Sequence, residues 1–178
     1  MPRCILALTF VCLLAWPALA QRPQVRQGYW ISGGLGYGSL DVACDGCDSD
    51  RQSGLTGRLA MGGTLSPHFL IGGDVESWAK EVDGVDILFG HISGVGYWYP
   101  RATGGLFVKG GVGFGSLSVD AGPLGESSDR GLALHAGVGY DIRLARNFSV
   151  TPIAGVFWVS LDPGDSNTLY IGLNATGH

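Results

Sequence analysis

Apolar residues alternate with glycine and polar residues along most of this chain, and the segment 132–144 shows the pattern most clearly. One set of alternate positions is Leu132, Leu134, Ala136, Val138, Tyr140, Ile142 and Leu144. The other set is Ala133, His135, Gly137, Gly139, Asp141 and Arg143. Successive side chains of a β-strand point to opposite faces, so a period of two predicts strands with one apolar and one polar face.

The same period recurs along the chain and predicts about eight strands. They are placed at 28–40, 54–65, 69–80, 87–99, 105–118, 131–145, 148–160 and 168–177. Strands of globular proteins usually have about five or six residues, whereas about 9 to 11 cross a membrane at a tilt. The predicted lengths favour membrane crossing. Pro152 lies inside the seventh strand and predicts a local break or bulge there, because proline cannot donate to the ladder.

The polar faces combine glycine with scattered charges of both signs. Glycine is 31 of 178 residues, against a usual ~7%. Small residues on the inner face of a narrow barrel leave room for a few charged groups to pair across the lumen. The residues predicted to form this lumen charge network are Arg58, Asp74, Glu76, Lys80, Lys109, His135, Asp141 and Arg143. The prediction is an all-β fold, a transmembrane antiparallel up-and-down barrel with its apolar faces toward lipid.

Two other kinds of barrel compete with this prediction. A soluble periplasmic lipocalin-like barrel would enclose a ligand among apolar residues and expose its polar faces to water. A pore is disfavoured, because an eight-stranded barrel is filled by its own side chains.

The connections predict how the barrel is oriented. Links near Pro67, Pro100 and Arg146–Asn147 are short, whereas those at 41–53, 82–86, 119–130 and 161–167 are longer and rich in Asp, Gly and Ser. Outer-membrane barrels have short periplasmic turns and longer outer loops. Aromatic residues near the predicted strand ends suggest girdles at the membrane interfaces. They are Tyr29, Trp30, Trp78, Tyr97, Trp98, Tyr99, Trp158 and Tyr170.

The N-terminal residues predict export. Arg3, an apolar run over 5–15 and Ala18-Leu19-Ala20 make residues 1–20 a signal peptide. Residues 21–27 are then a short extension and 28–178 the barrel domain. Cleavage leaves ten basic and fifteen acidic residues, a net charge of −5, which excludes nucleic acid as a partner. In an exported chain, the spacing of Cys44 and Cys47 predicts a disulfide.

The alternating segments Gly105–Gly115 and Leu169–Ala175 resemble the small bacterial outer-membrane β-barrels, which include OmpX-like and opacity-like surface proteins. The resemblance implies residence in the outer membrane, contact with its lipids and lipopolysaccharide, and insertion by the barrel assembly machinery. It also implies a structural or surface-interaction role without a cofactor or enzymatic activity, with a possible surface ligand at the outer loops.

One short motif suggests an alternative, enzymatic function. With Gly94 and Gly96 on the inner face, His91 and Ser93 point outward to lipid, where a histidine can act as general base to a serine nucleophile. The pair resembles the H-x-S motif of outer-membrane lipid A deacylases. It implies a lipid A-modifying hydrolase that uses His91 and Ser93. The histidines show no paired metal ligands, so the sequence predicts no metal site.

Overall fold

A computed structural model describes residues 26–42, 51–82, 85–120, 125–161 and 165–178. The signal peptide predicted at 1–20 and the disulfide predicted between Cys44 and Cys47 lie outside these residues. The strands are β1 (Tyr29–Val42), β2 (Gln52–Ser66), β3 (Phe69–Val82), β4 (Val85–Trp98), β5 (Leu106–Asp120), β6 (Glu126–Tyr140), β7 (Ile142–Ala145), β8 (Phe148–Ser160) and β9 (Asp165–Gly177). The described part of the chain includes no helix long and apolar enough to cross a membrane.

The strands close into one antiparallel barrel. Strands β1 to β6 pair in sequence order, as do β7 to β9, and the pairings of β1 with β9 and of β6 with β8 close the barrel. The ladder between β6 and β8 runs to Gly139 opposite Ile153 and resumes in β7 with Ile142 opposite Val150, in the same register. β6 and β7 are therefore one barrel strand, interrupted opposite Pro152, which has no N–H to donate. The predicted eight-stranded transmembrane barrel fold is confirmed.

The barrel carries its apolar residues on the outside and its charges inside. Most side chains at the predicted lipid face are exposed, as for Phe114 at 72%, Ile171 at 66% and Leu134 at 50%. On the opposite face, Lys109 is only 4% exposed. A lipocalin-like barrel would show the reverse pattern, so the burial supports an apolar belt in contact with lipid.

Large side chains fill the lumen. The buried hydrophobic residues include Trp78, Phe89, Phe107, Phe157 and Val159. Phe89 stacks on Phe157 with ring centroids 5.1 Å apart, and Tyr97 packs on Phe107 with centroids 5.4 Å apart.

Several aromatic residues predicted for the membrane girdles face the lumen instead. Trp30, Trp78, Tyr97, Tyr99 and Tyr170 are all at most 5% exposed. Trp30, Trp78, Tyr97 and Tyr170 lie on inner strand faces, so for them the girdle prediction is wrong. Tyr29, Trp98 and Trp158 are outside, with 90%, 46% and 44% of their surfaces exposed. Proximity to a strand end does not decide the face, which depends on the odd or even position of the residue.

The two ends of the barrel differ less in link length than predicted. At the loop end, residues 43–51, 121–125 and 161–164 connect strands, but β3 and β4 are joined by 83–84 alone. At the turn end, 67–68 and 146–147 are tight, whereas 99–105 form the connection near Pro100. Strands β3 and β4 continue their pairing to Val82 opposite Val85, which consumes the predicted loop.

Gly113 allows β4 and β5 to approach closely. A Cβ at this position would overlap the Ile92 carbonyl oxygen and lie 2.5 Å from Ser93 Cα and 2.6 Å from Ser93 Cβ. We expect Gly113→Ala to lower the free energy of unfolding by about 1–3 kcal/mol, the usual cost of overpacking. Urea unfolding of the barrel refolded into lipid vesicles measures this change.

Gly94 provides the matched control for that substitution. It lies on the outer face of β4, opposite Val112 of β5. A Cβ there would come no closer than 3.9 Å to the Val112 carbonyl oxygen. Gly94→Ala should therefore change stability by less than about 0.5 kcal/mol. Equal effects of the two substitutions would show that close strand approach is not the reason for Gly113.

Candidate functional site

Four buried charged side chains meet in the middle of the lumen, and we call Arg58, Asp74, Glu76 and Lys109 the lumen ionic cluster. Arg58 Nε lies 2.7 Å from Glu76 Oε1, and Arg58 Nη2 lies 3.5 Å from Asp74 Oδ2. Lys109 Nζ lies 3.5 Å from Asp74 Oδ2 and also contacts Glu76 Oε1. Two cations thus balance two carboxylates, which offsets the high cost of removing each charge from water.

Tyrosine hydroxyls complete the contacts of this cluster. Tyr170 donates a hydrogen bond to Glu76 Oε1 at 3.0 Å, and Arg58 donates to the hydroxyl of Tyr97. Both rings are buried, so each hydroxyl supplies a polar partner on an otherwise apolar side chain.

The two oxygens of Asp74 face different neighbours. Oδ2 is next to Arg58 and Lys109, whereas Oδ1 accepts a hydrogen bond from Ser93. Two imidazoles lie on the Oδ1 side, His135 Nε2 at 3.6 Å and His91 Nε2 at 3.9 Å. His135 Nε2 is also 2.9 Å from Ser93 Oγ. Sequence analysis predicts Asp74 and His135 for the lumen, but it misses His91 and Ser93, because the group is assembled from three different strands.

The outward orientation predicted for His91 and Ser93 is wrong. Their exposed fractions are 4% and 6%, whereas Ile92 between them is 63% exposed. Gly94 lies on the outside, and the inward glycines at this level belong to β5, where Gly111 and Gly113 leave space for the side chains of β4. The lipid A deacylase resemblance therefore lacks the lipid access that its chemistry requires.

The remaining residues of the predicted network lie away from the lumen ionic cluster. Lys80 donates to Gln52 Oε1 at 2.6 Å, in β2 next to it. Asp141 Oδ1 accepts from Thr151 at 2.8 Å and Asp141 Oδ2 accepts from Tyr99 at 3.0 Å. Arg143 donates to the Arg146 carbonyl oxygen at 2.6 Å. Charges on the inner face are thus distributed along the length of the barrel.

Arg26 closes the turn end of the barrel, and sequence reasoning did not identify it. Its guanidinium carbon lies 3.4 Å from the Tyr99 ring centroid, and Nη2 is 3.6 Å from Asp141 Oδ2. It also donates to the carbonyl oxygens of Ala102, at 3.1 Å, and Gly104, at 2.5 Å. No pattern marks Arg26 because it precedes the first alternating segment. Beside it, burial lowers the pKa of His178 to about 4 and raises the pKa of Tyr99.

Comparisons with known proteins agree with this architecture. A family model described as outer membrane protein beta-barrel domain matches residues 6–176. The structure of Ail, the attachment invasion locus protein of Yersinia pestis, has a TM-score of 0.63 at 15% identity, covering 84% of this chain and 99% of that one. Neisserial surface protein A has a TM-score of 0.65 at 12% identity, covering 85% of this chain and 98% of that one.

A second structure of Ail contains the heparin analogue sucrose octasulfate. It has a TM-score of 0.59 at 16% identity and covers 84% of this chain and 99% of that one. The search of curated proteins gave no significant match. At these identities the structural similarities show the fold alone.

Proposed function

The chain belongs to the outer membrane protein β-barrel domain family, and we propose that it is a non-enzymatic surface barrel. Its loop end contacts the cell's surroundings. Side chains of the described strands fill the lumen, and this filling is the main support for the proposal. Trp78, Phe89 and Val159 are fully buried inside the barrel, as is Lys109 in the lumen ionic cluster. Side chains that occupy the lumen in this way disfavour solute flow, so interactions with other molecules belong to the ends.

The outer wall supports residence in the outer membrane without a further anchor. Exposed apolar side chains on β1, β5, β6 and β9 surround the barrel, including Leu35, Val112, Leu134 and Ile171. Such a belt contacts the lipids and the acyl chains of lipopolysaccharide. Insertion by the barrel assembly machinery in the cell is part of the same proposal, and it rests on membership of the family.

Two acidic residues lie opposite each other at the loop end. The strand register pairs Glu81 of β3 with Asp86 of β4, and both side chains are exposed. Like charges at opposed positions destabilise a sheet, and they repel anions. A polyanion such as the sucrose octasulfate found with Ail is therefore disfavoured at this acidic pair, and a surface ligand of this chain would bind elsewhere or carry positive charge.

Cysteine labelling of intact cells tests which end faces outside. In a Cys44→Ser, Cys47→Ser background, we expect Asp129→Cys to react with a membrane-impermeant maleimide, because Asp129 is exposed at the loop end. Arg101→Cys is the matched control, since Arg101 is exposed in the 99–105 connection at the turn end. It should react only after the outer membrane is permeabilised.

The same cells provide the check on folding and location. The chain should sediment with the outer membrane and change its electrophoretic mobility on boiling, as compact barrels do. Release as a soluble periplasmic protein, or labelling of the Arg101→Cys variant in intact cells, would contradict the proposed surface barrel.

A further inference from the structure

We propose that Asp74, His91 and His135 form a binding site for one divalent transition-metal ion inside the barrel. One ligand atom from each residue lies within 4.8 Å of the other two. Asp74 comes from β3, His91 from β4 and His135 from β6, so only the closed barrel assembles the set. The inference is independent of the surface role proposed above.

The spacing of the ligand atoms is close to that of a metal site. Asp74 Oδ1 lies 3.9 Å from His91 Nε2 and 3.6 Å from His135 Nε2. Tetrahedral metal–ligand bonds of about 2.0–2.1 Å place neighbouring ligand atoms about 3.3 Å apart. The three ligand atoms all lie within 4.8 Å of one another, so rotation of the two imidazole rings toward Asp74 Oδ1 is what would bring them onto one ion.

The buried ring nitrogens of His91 lack partners, which favours a bound ligand at this position. The residue is 4% exposed, and neither of its ring nitrogens has a hydrogen-bond partner. Buried polar atoms are nearly always satisfied, because an unpartnered one keeps the full cost of its removal from water. His91 Nε2 is near Asp74 Oδ1 at more than hydrogen-bond distance, and a metal ion between them would give His91 Nε2 a partner.

The surroundings favour an ion that prefers imidazole. Arg58 and Lys109 contact Asp74 through Oδ2, so Oδ1 is the oxygen directed to the two histidines. Ser93 Oγ lies 2.9 Å from His135 Nε2. It is placed to complete the set as a fourth ligand, with oxygen as the donor atom. Two imidazoles with one carboxylate suit Zn²⁺, Co²⁺ and Ni²⁺, whereas Mg²⁺ and Ca²⁺ prefer oxygen ligands throughout.

The packing of the lumen determines how the ion would enter. Phe157 packs against His91 with ring centroids 5.0 Å apart, and Phe89 stacks on Phe157 toward the loop end. Tyr97 and Phe107 pack together on the turn side. An ion would therefore be taken up as the barrel closes, and once bound it would exchange slowly with a chelator in solution.

Cobalt binding during refolding tests the site. The tag-free mature chain, with Cys44→Ser and Cys47→Ser to exclude thiolate ligands, is refolded into detergent with Co²⁺, passed over a desalting column and analysed for metal. We expect one Co²⁺ per chain. Its visible d–d absorption should be that of a four-coordinate ion, and EDTA should remove the ion slowly. His91→Gln should bind more weakly by about tenfold or more.

His68→Gln is the matched control, because His68 is exposed in the tight turn between β2 and β3 and should leave binding unchanged. Absence of stoichiometric Co²⁺ from the refolded, heat-modifiable parent protein overturns the proposal whatever the variants do. Equal binding by the parent and His91→Gln also overturns it, since it places the ion elsewhere. Loss of folding in His91→Gln would move the comparison to His135→Gln.

Discussion

Lys109→Met is expected to lower the free energy of unfolding by about 3–5 kcal/mol, the range for breaking a buried ion pair. Lys109 is fully buried and contacts both Asp74 and Glu76. Methionine keeps the approximate length of the side chain but leaves two carboxylates facing Arg58 alone. Urea unfolding of the barrel from lipid vesicles, followed by tryptophan fluorescence, measures the loss.

The double variant Lys109→Met, Glu76→Gln separates lost charge balance from lost packing. It restores the charge balance, because one cation, Arg58, and one carboxylate, Asp74, remain, 3.5 Å apart. We expect the double variant to be more stable than the sum of the single effects predicts, with an interaction energy of about 0.5–3 kcal/mol. Simple additivity would show that the four charges do not act as one cluster.

Ile171→Arg is expected to cost about 2–4 kcal/mol, the penalty for a cation near the middle of the lipid-facing wall. Ile171 is 66% exposed and lies between Leu169 and Leu173, each 56% exposed, on the outer face of β9. In lipid, the exposed guanidinium has no water to solvate it. The same vesicle-based unfolding experiment gives the magnitude.

Ala175→Arg is the matched control on the same strand. Ala175 is exposed, points the same way as Ile171 and lies near the turn end of β9. An arginine close to the interface costs only about 0–1 kcal/mol. Equal penalties at the two positions would contradict a belt of membrane thickness, and negligible penalties at both would contradict lipid contact altogether.

The alternating period was sufficient to predict the barrel and the inner face of most of its strands. A period of two assigns every second residue to the same face, so the charges at Arg58, Asp74, Glu76 and Lys109 identified the inner face of three strands. Burial of those four side chains agrees with this assignment. Local sequence was enough here because each of these strands carries at least one side chain that cannot face lipid.

Strand β4 shows where this reasoning fails. The sequence-based prediction puts its glycines, Gly94 and Gly96, on the inner face. That choice turns His91 and Ser93 outward. Glycine is compatible with either face, and the choice depends on the volume left by neighbouring strands. In the barrel, β5 supplies the inward glycines and β4 supplies the bulky residues Phe89 and Tyr97.

The fold class, the approximate strand positions and the apolar exterior follow from the amino-acid sequence, because they depend on a period that is local to each strand. That Asp74, His91 and His135 meet, and that Arg26 closes one end against Asp141, is visible only in the folded barrel. Those contacts depend on the stagger and closure of the sheet. The pairing of β6 with β8 and of β1 with β9 brings residues far apart in the chain together in one narrow lumen.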